Sequence, residues 1–177
     1  AKFINMYSGK EKKLLDVGSG TGLILNKIYH NFSRIVAVER CIGLSKFIAK
    51  EPNIEVLNQD MLELTIDEQF DVVSIFAVMN YFNKKEAQKV YSKIFTLVKN
   101  EGVLIVKHQM GVHETVNVNG YSKEMGKYYF SQYRTLDEEI EILKECGFFD
   151  IRVFDIYPEE YNRWDNTHYY ALVCYKS

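Results

Sequence analysis

Three glycines at alternate positions, in the run Leu14-Leu15-Asp16-Val17-Gly18-Ser19-Gly20-Thr21-Gly22, follow a short apolar segment and precede a helix-periodic one. Glycine lets the backbone turn sharply and approach a ligand where a Cβ would collide, and the start of the following helix offers unpaired N–H groups. A plain strand-turn-helix needs only one glycine, so the run reads as a small-molecule cradle. A dinucleotide site spaces its glycines Gly-x-Gly-x-x-Gly, with the pyrophosphate on the helix N-terminus. Here the spacing is Gly-x-Gly-x-Gly. Asp16, two residues before Gly18, adds a carboxylate that repels a pyrophosphate and suits the ammonium of a methionine-like ligand.

This acidic-x-Gly-x-Gly-x-Gly run resembles the first motif of class I S-adenosylmethionine (SAM)-dependent methyltransferases, and the resemblance extends over essentially the whole chain. It implies SAM as cofactor and S-adenosylhomocysteine (SAH) as product, with Asp16, Gly18, Gly20 and Gly22 forming the cradle. Glu39 closes the next apolar segment, and an acid about 20 residues beyond such a loop can accept from both ribose hydroxyls. The competing reading is a solvated strand-end acid. Asp60 resembles the family acid that accepts from the adenine amine, with Met61 against the ring; a helix-cap or turn aspartate is its rival, because Asp favours those positions. Phe76 and Ala77 are expected beside the methionine part of the cofactor, with core packing as the alternative for Phe76.

These residues need elements to hold them. Strands are expected over 12–17, 34–38, 54–57, 70–76 and 103–107, and helices over 22–31, 43–50, 84–98 and 136–146. Alternation of this kind requires crossovers and a mostly parallel sheet. Two late strands, 149–156 and 169–175, joined without a helix, predict a hairpin and one antiparallel strand near the C-terminal end. The expected fold is a doubly wound α/β domain: a seven-stranded, mostly parallel sheet with helices on both faces. It forms one domain over residues 1–177, with an acceptor or lid insertion at about 109–134.

On the acceptor side, Phe76-Ala77-Val78-Met79-Asn80-Tyr81-Phe82 contains no proline. It therefore lacks the Asn/Asp-Pro-Pro-aromatic signature that similar enzymes use on nucleobase amines. No cysteine falls at the end of the fourth or fifth strand, which argues against cytosine C5 chemistry. His108, at the end of the fifth strand, is the expected general base, with a capping or core-edge histidine as the rival. Tyr81, Gln109, Tyr121, Tyr133 and Arg134 are the expected acceptor-binding residues, with Tyr128 and Tyr129 in the same cluster and Arg134 as a fork for carboxylate or phosphoryl oxygens. The loop 162–168, which carries Trp164, is a further candidate wall. Acids are absent near these strand ends, so no metal is expected.

The bulk composition bounds the partners. Over 177 residues, 22 Lys plus Arg against 24 Asp plus Glu leave a net charge of −2, which gives no general attraction to phosphate backbones. Nucleic acid is disfavoured as a partner. No apolar run approaches the roughly 18 residues that span a membrane, and no export signal opens the chain; a soluble, cytoplasmic protein is the expectation. Cys41, Cys146 and Cys174 are scattered and read as small hydrophobes. The expectation is thus a SAM-dependent methyltransferase acting, most simply at oxygen, on a small polar metabolite: a sugar or, as an anionic form, a sugar phosphate or another phosphorylated building block of a surface polysaccharide or secondary metabolite. The alternatives are a non-catalytic SAM-binding module whose Tyr-rich insertion is an interface, and an RNA methyltransferase.

Overall fold

A computed structural model describes residues 1–122, 126–162 and 164–177. The helices are α1 (Lys2–Asn5), α2 (Leu25–Ile28), α3 (Ile42–Ser45), α4 (Lys84–Leu97) and α5 (Leu136–Glu145). The strands are β1 (Gly9–Val17), β2 (Phe32–Val38), β3 (Ile54–Leu57), β4 (Phe70–Phe76), β5 (Val98–Gly111), β6 (Val116–Ser122), β7 (Lys127–Tyr133), β8 (Phe149–Asp155) and β9 (Thr167–Tyr175). Seven of them form one sheet in the order β3-β2-β1-β4-β5-β9-β8, and β6 and β7 pair separately. β1, β2, β3, β4 and β5 run parallel, whereas β9 is antiparallel to both its neighbours. That is the doubly wound sheet with one antiparallel strand that the alternation predicts.

The strand order reverses at β1, which lies between β2 and β4. In open sheets of this type the ligand crevice lies beyond the carboxyl ends of the strands at such a reversal. The central strands are buried on both faces, as their near-continuous apolar runs require. Leu15, Val17, Val73, Ile75, Leu104 and Val106 pack on one face with Tyr91 and Ile94 of α4 and Ile142 of α5. Leu14, Ile35, Val72 and Ile105 pack on the other with Ile4, Leu25 and Ile28. Capping boxes start the two long helices, Asn83 with Glu86 and Thr135 with Glu138, each satisfying two orphan N–H groups.

Several expected boundaries shift. The helix expected over 22–31 is only α2 followed by the 3-10 turn Tyr29–Asn31, because Gly22 adopts φ +72° and cannot open a right-handed helix. The helix expected over 43–50 is the single turn α3, and β5 runs from Val98 to Gly111. The expected insertion at 109–134 gives its first residues to β5, and most of its remainder is a hairpin. In that hairpin β6 opposes β7 with Val116 facing Tyr133 and Tyr121 facing Tyr128. The Val116-Asn117-Val118-Asn119 alternation carries this period-2 signal.

Candidate active site

The loop after β1 is tied to the end of β2. The Gly18 and Ser19 amides donate to the Val38 carbonyl at 2.8 and 3.0 Å, and the Ser19 hydroxyl donates to the Asp16 carbonyl at 2.8 Å. Gly18 has no room for a side chain, since a Cβ there would come within 2.8 Å of Val78 Cγ1. Gly20 is different: a Cβ there would meet nothing within 4 Å. Its backbone faces open space, as a cradle requires.

Glu39 stands across this loop. Its Oε2 accepts from the Gly20 amide at 3.0 Å and its Oε1 from the Cys41 amide at 2.8 Å. Each carboxylate oxygen keeps a free lone pair, so a diol can still be bound by both. Asn58, from the loop after β3, donates to the Glu39 carbonyl at 2.7 Å and couples the two strand ends. Asp60 caps the 3-10 turn Met61–Glu63 by accepting from the Leu62 amide at 3.0 Å, with Arg40 Nη1 at 3.4 Å from its other oxygen. The cap role weighed against adenine binding is therefore occupied, although Asp60 and the half-buried Met61 stand on the loop joined to Glu39. Asp16 is buried, and its Oδ1 accepts from the Ser74 hydroxyl of β4 at 2.5 Å. Burial pushes its carboxyl pKa up, against the Ser74 and Ser19 hydrogen bonds.

Beyond β4 the chain makes a strained step. Ala77 holds φ 59°, a left-handed conformation that costs a non-glycine residue of order 1 kcal/mol and clusters at functional sites. The Ala77 amide donates to the Lys107 carbonyl at 2.7 Å, and Phe76 lies directly opposite Lys107 across the β4–β5 ladder. Composition and spacing did not single out Lys107. The ladder places it one strand away from Phe76.

The acceptor-side expectations fare differently. His108 is 1% exposed, packed between β5 and α5, with Nε2 3.5 Å from Glu139 Oε1 and neither ring nitrogen hydrogen-bonded. Burial pulls its pKa down to about 4, against the attraction of Glu139. An imidazole this shielded lies where the core-edge alternative put it rather than open to an acceptor, and the expectation of an accessible base is corrected. Arg134 is corrected too. Also 1% exposed, it donates to Glu139 Oε2 at 2.6 Å, to the Phe82 carbonyl at 2.6 Å and to the Met79 carbonyl at 3.1 Å, so its fork is spent inside the protein. Gln109 is likewise buried and donates to Thr167 Oγ1 at 2.6 Å.

Tyr81 is exposed and stacks edge-on against Tyr129, ring centroids 6.0 Å apart. Tyr133 is buried, accepts from Trp164 Nε1 at 3.0 Å, and has its hydroxyl pKa pushed up to about 12 by burial and the Tyr129 hydrogen bond. Asn80 Nδ2 donates to Ser131 Oγ, which donates to Tyr129. These contacts join the turn after β4, the foot of the hairpin and the 162–168 loop into one wall. Tyr121 is not part of it. It pairs with Tyr128 near the hairpin tip, about 17 Å of strand from Tyr133. Residues 123–125 of the insertion and Arg163 of the loop lie outside the described residues.

The family model described as a methyltransferase domain matches residues 14–102, from β1 through α4, the half that carries the cradle, Glu39 and Asp60. A Geobacillus protein described as a methyltransferase is 28% identical over 142 residues, 76% of this chain and 53% of that protein; the chain thus spans about half of that relative. The carboxy-S-adenosyl-L-methionine synthase of Nautilia profundicola is 25% identical over 90% of this chain and 76% of its own length. Among solved structures, a Listeria monocytogenes protein described as a SAM-dependent methyltransferase superposes with a TM-score of 0.78 at 13% identity, covering 96% of this chain and 92% of its own.

The fold is that of solved structures described as SAM-dependent methyltransferases. The chain belongs to the methyltransferase domain family.

Proposed function

We propose that this methyltransferase binds SAM along the carboxyl ends of β1, β2 and β3 and methylates a small, polar, anionic acceptor, most simply at oxygen. The observation that carries the reading is the Glu39 carboxylate, pinned by the Gly20 and Cys41 amides opposite the open face of Gly20. In this reading Glu39 takes the ribose diol, the loop 18–22 lines the cofactor, Met61 flanks the adenine, and Asp16 and Phe76 border the methionine portion. When bound, SAM supplies an electrophilic methyl group.

The residues of the chain then supply alignment and an aromatic wall. In-line displacement gains most from orientation, so the withdrawal of His108 from the site leaves the reading intact. Tyr81, with the Tyr129–Ser131–Asn80 network behind it, forms the acceptor-facing side. Radiolabelled methyl transfer from SAM to phosphorylated and carboxylated alcohols, their neutral counterparts and RNA tests the proposal. Labelling of anionic alcohols above their neutral counterparts supports it; labelling confined to neutral compounds or to RNA contradicts the acceptor class.

A further inference from the structure

Lys107 ends the parallel part of β5 on the same face as Phe76. Its ammonium lies 5.3 Å from the Phe76 ring centroid and 5.1 Å from that of Tyr157, and it donates to the Tyr157 hydroxyl at 3.1 Å. Two aromatic faces and one neutral hydroxyl orient the charge without neutralising it. The side chain is half-buried, and Lys107 forms no ion pair with any described carboxylate. By contrast, the buried Arg134, the cation the sequence offered for this task, already has Glu139 as its partner.

We propose that Lys107 is the anion anchor of the acceptor site, pairing its ammonium with a carboxylate or phosphoryl oxygen of the molecule to be methylated. This rests on the methyltransferase reading above and narrows its substrate class. An ammonium without a carboxylate partner among the described residues, held beside the strand end where the acceptor would stand, attracts a molecule with a negative group more strongly than a neutral or cationic one. The aromatic pair holds the ammonium in place before the ligand arrives, which lowers the ordering cost of the new ion pair. Tyr157 also borders a cavity of about 250 Å³ that is lined by Asp155, Glu159 and His168 as well as Val112, Asn162 and Tyr170 and does not include Lys107.

The test uses the whole chain saturated with SAH and titrated calorimetrically with inorganic phosphate and, separately, with acetate, in the wild type, Lys107→Gln and Lys107→Arg. The SAH affinity of each variant is measured first. The expected result is equal SAH binding in all three proteins, measurable binding of at least one anion to the wild type, retention by Lys107→Arg, and a loss of about tenfold in Lys107→Gln, in line with a charge-assisted contact. Preference for phosphate over acetate identifies a phosphoryl group; the reverse identifies a carboxylate. Unchanged anion binding in Lys107→Gln, or none in the SAH-loaded wild type, overturns the anchor and leaves the methyltransferase reading standing. Failure of the wild type to bind SAH overturns the reading beneath it, and the anchor with it.

Discussion

Glu139 is fully buried and holds three partners: Arg134, the Tyr91 hydroxyl and, at 3.5 Å, His108. Burial alone would raise its carboxyl pKa; the Arg134 and His108 charges and the hydrogen bonds of Arg134 and Tyr91 bring it below the ordinary value. Removing one partner of such a pair leaves an uncompensated buried charge, so Glu139→Gln should lower stability by about 3 to 5 kcal/mol in urea unfolding. His108 adds a pH signature. The unfolded chain protonates this imidazole near 6.5 and the folded chain only near 4, so between those values the unfolded state holds more protons. Stability is complete above pH 6.5 and declines as the pH falls toward 4, by about 3 kcal/mol in total. His108→Leu should flatten that slope, as followed by urea midpoints across the interval. An equal slope in both proteins would mean that His108 is open to solvent and still available as a base.

At the scale of elements, the two long helices depend on their first turns. Thr135→Ala removes the side-chain acceptor for the Glu138 amide and should cost about 1 kcal/mol. At the other end of α5, Gly147 holds φ +105°, and a Cβ there would meet the Phe95 ring at 2.8 Å. Gly147→Ala combines strain with a clash and should exceed the Thr135→Ala loss in thermal unfolding. The elements also show where the sequence was explicit. The glycine spacing, the strand-end Glu39 and the apolar runs of β1, β2, β4 and β5 are local patterns, and the parallel half of the fold was legible from them. The surroundings of the acceptor-side candidates were not. The burial of His108 and Arg134 is decided by Glu139, which arrives on a later helix, and a histidine at a strand end looks the same in sequence whether a helix covers it or not. Lys107 was passed over for the same reason, since its aromatic neighbours come from β4 and from the segment after β8.

Across the whole molecule, the proposed reading assigns cofactor and acceptor to different stretches of the chain. The family match ends at residue 102, so it contains Glu39 and Asp60 but neither Lys107 nor the hairpin. In the proposed reading, the elements beyond that match set the acceptor, as one scaffold hosts many acceptors. No helix among the described residues is long and apolar enough to cross a membrane, and the net charge of −2 predicts that any RNA affinity is weak and steeply salt-dependent. The central claim concerns the cradle, and calorimetric titration of SAH into the wild type and Glu39→Ala tests it most directly. The account predicts micromolar binding by the wild type and a loss of at least about tenfold in Glu39→Ala, the cost of a charged hydrogen-bond acceptor. Equal affinity in the two proteins, or no binding by the wild type, would contradict it.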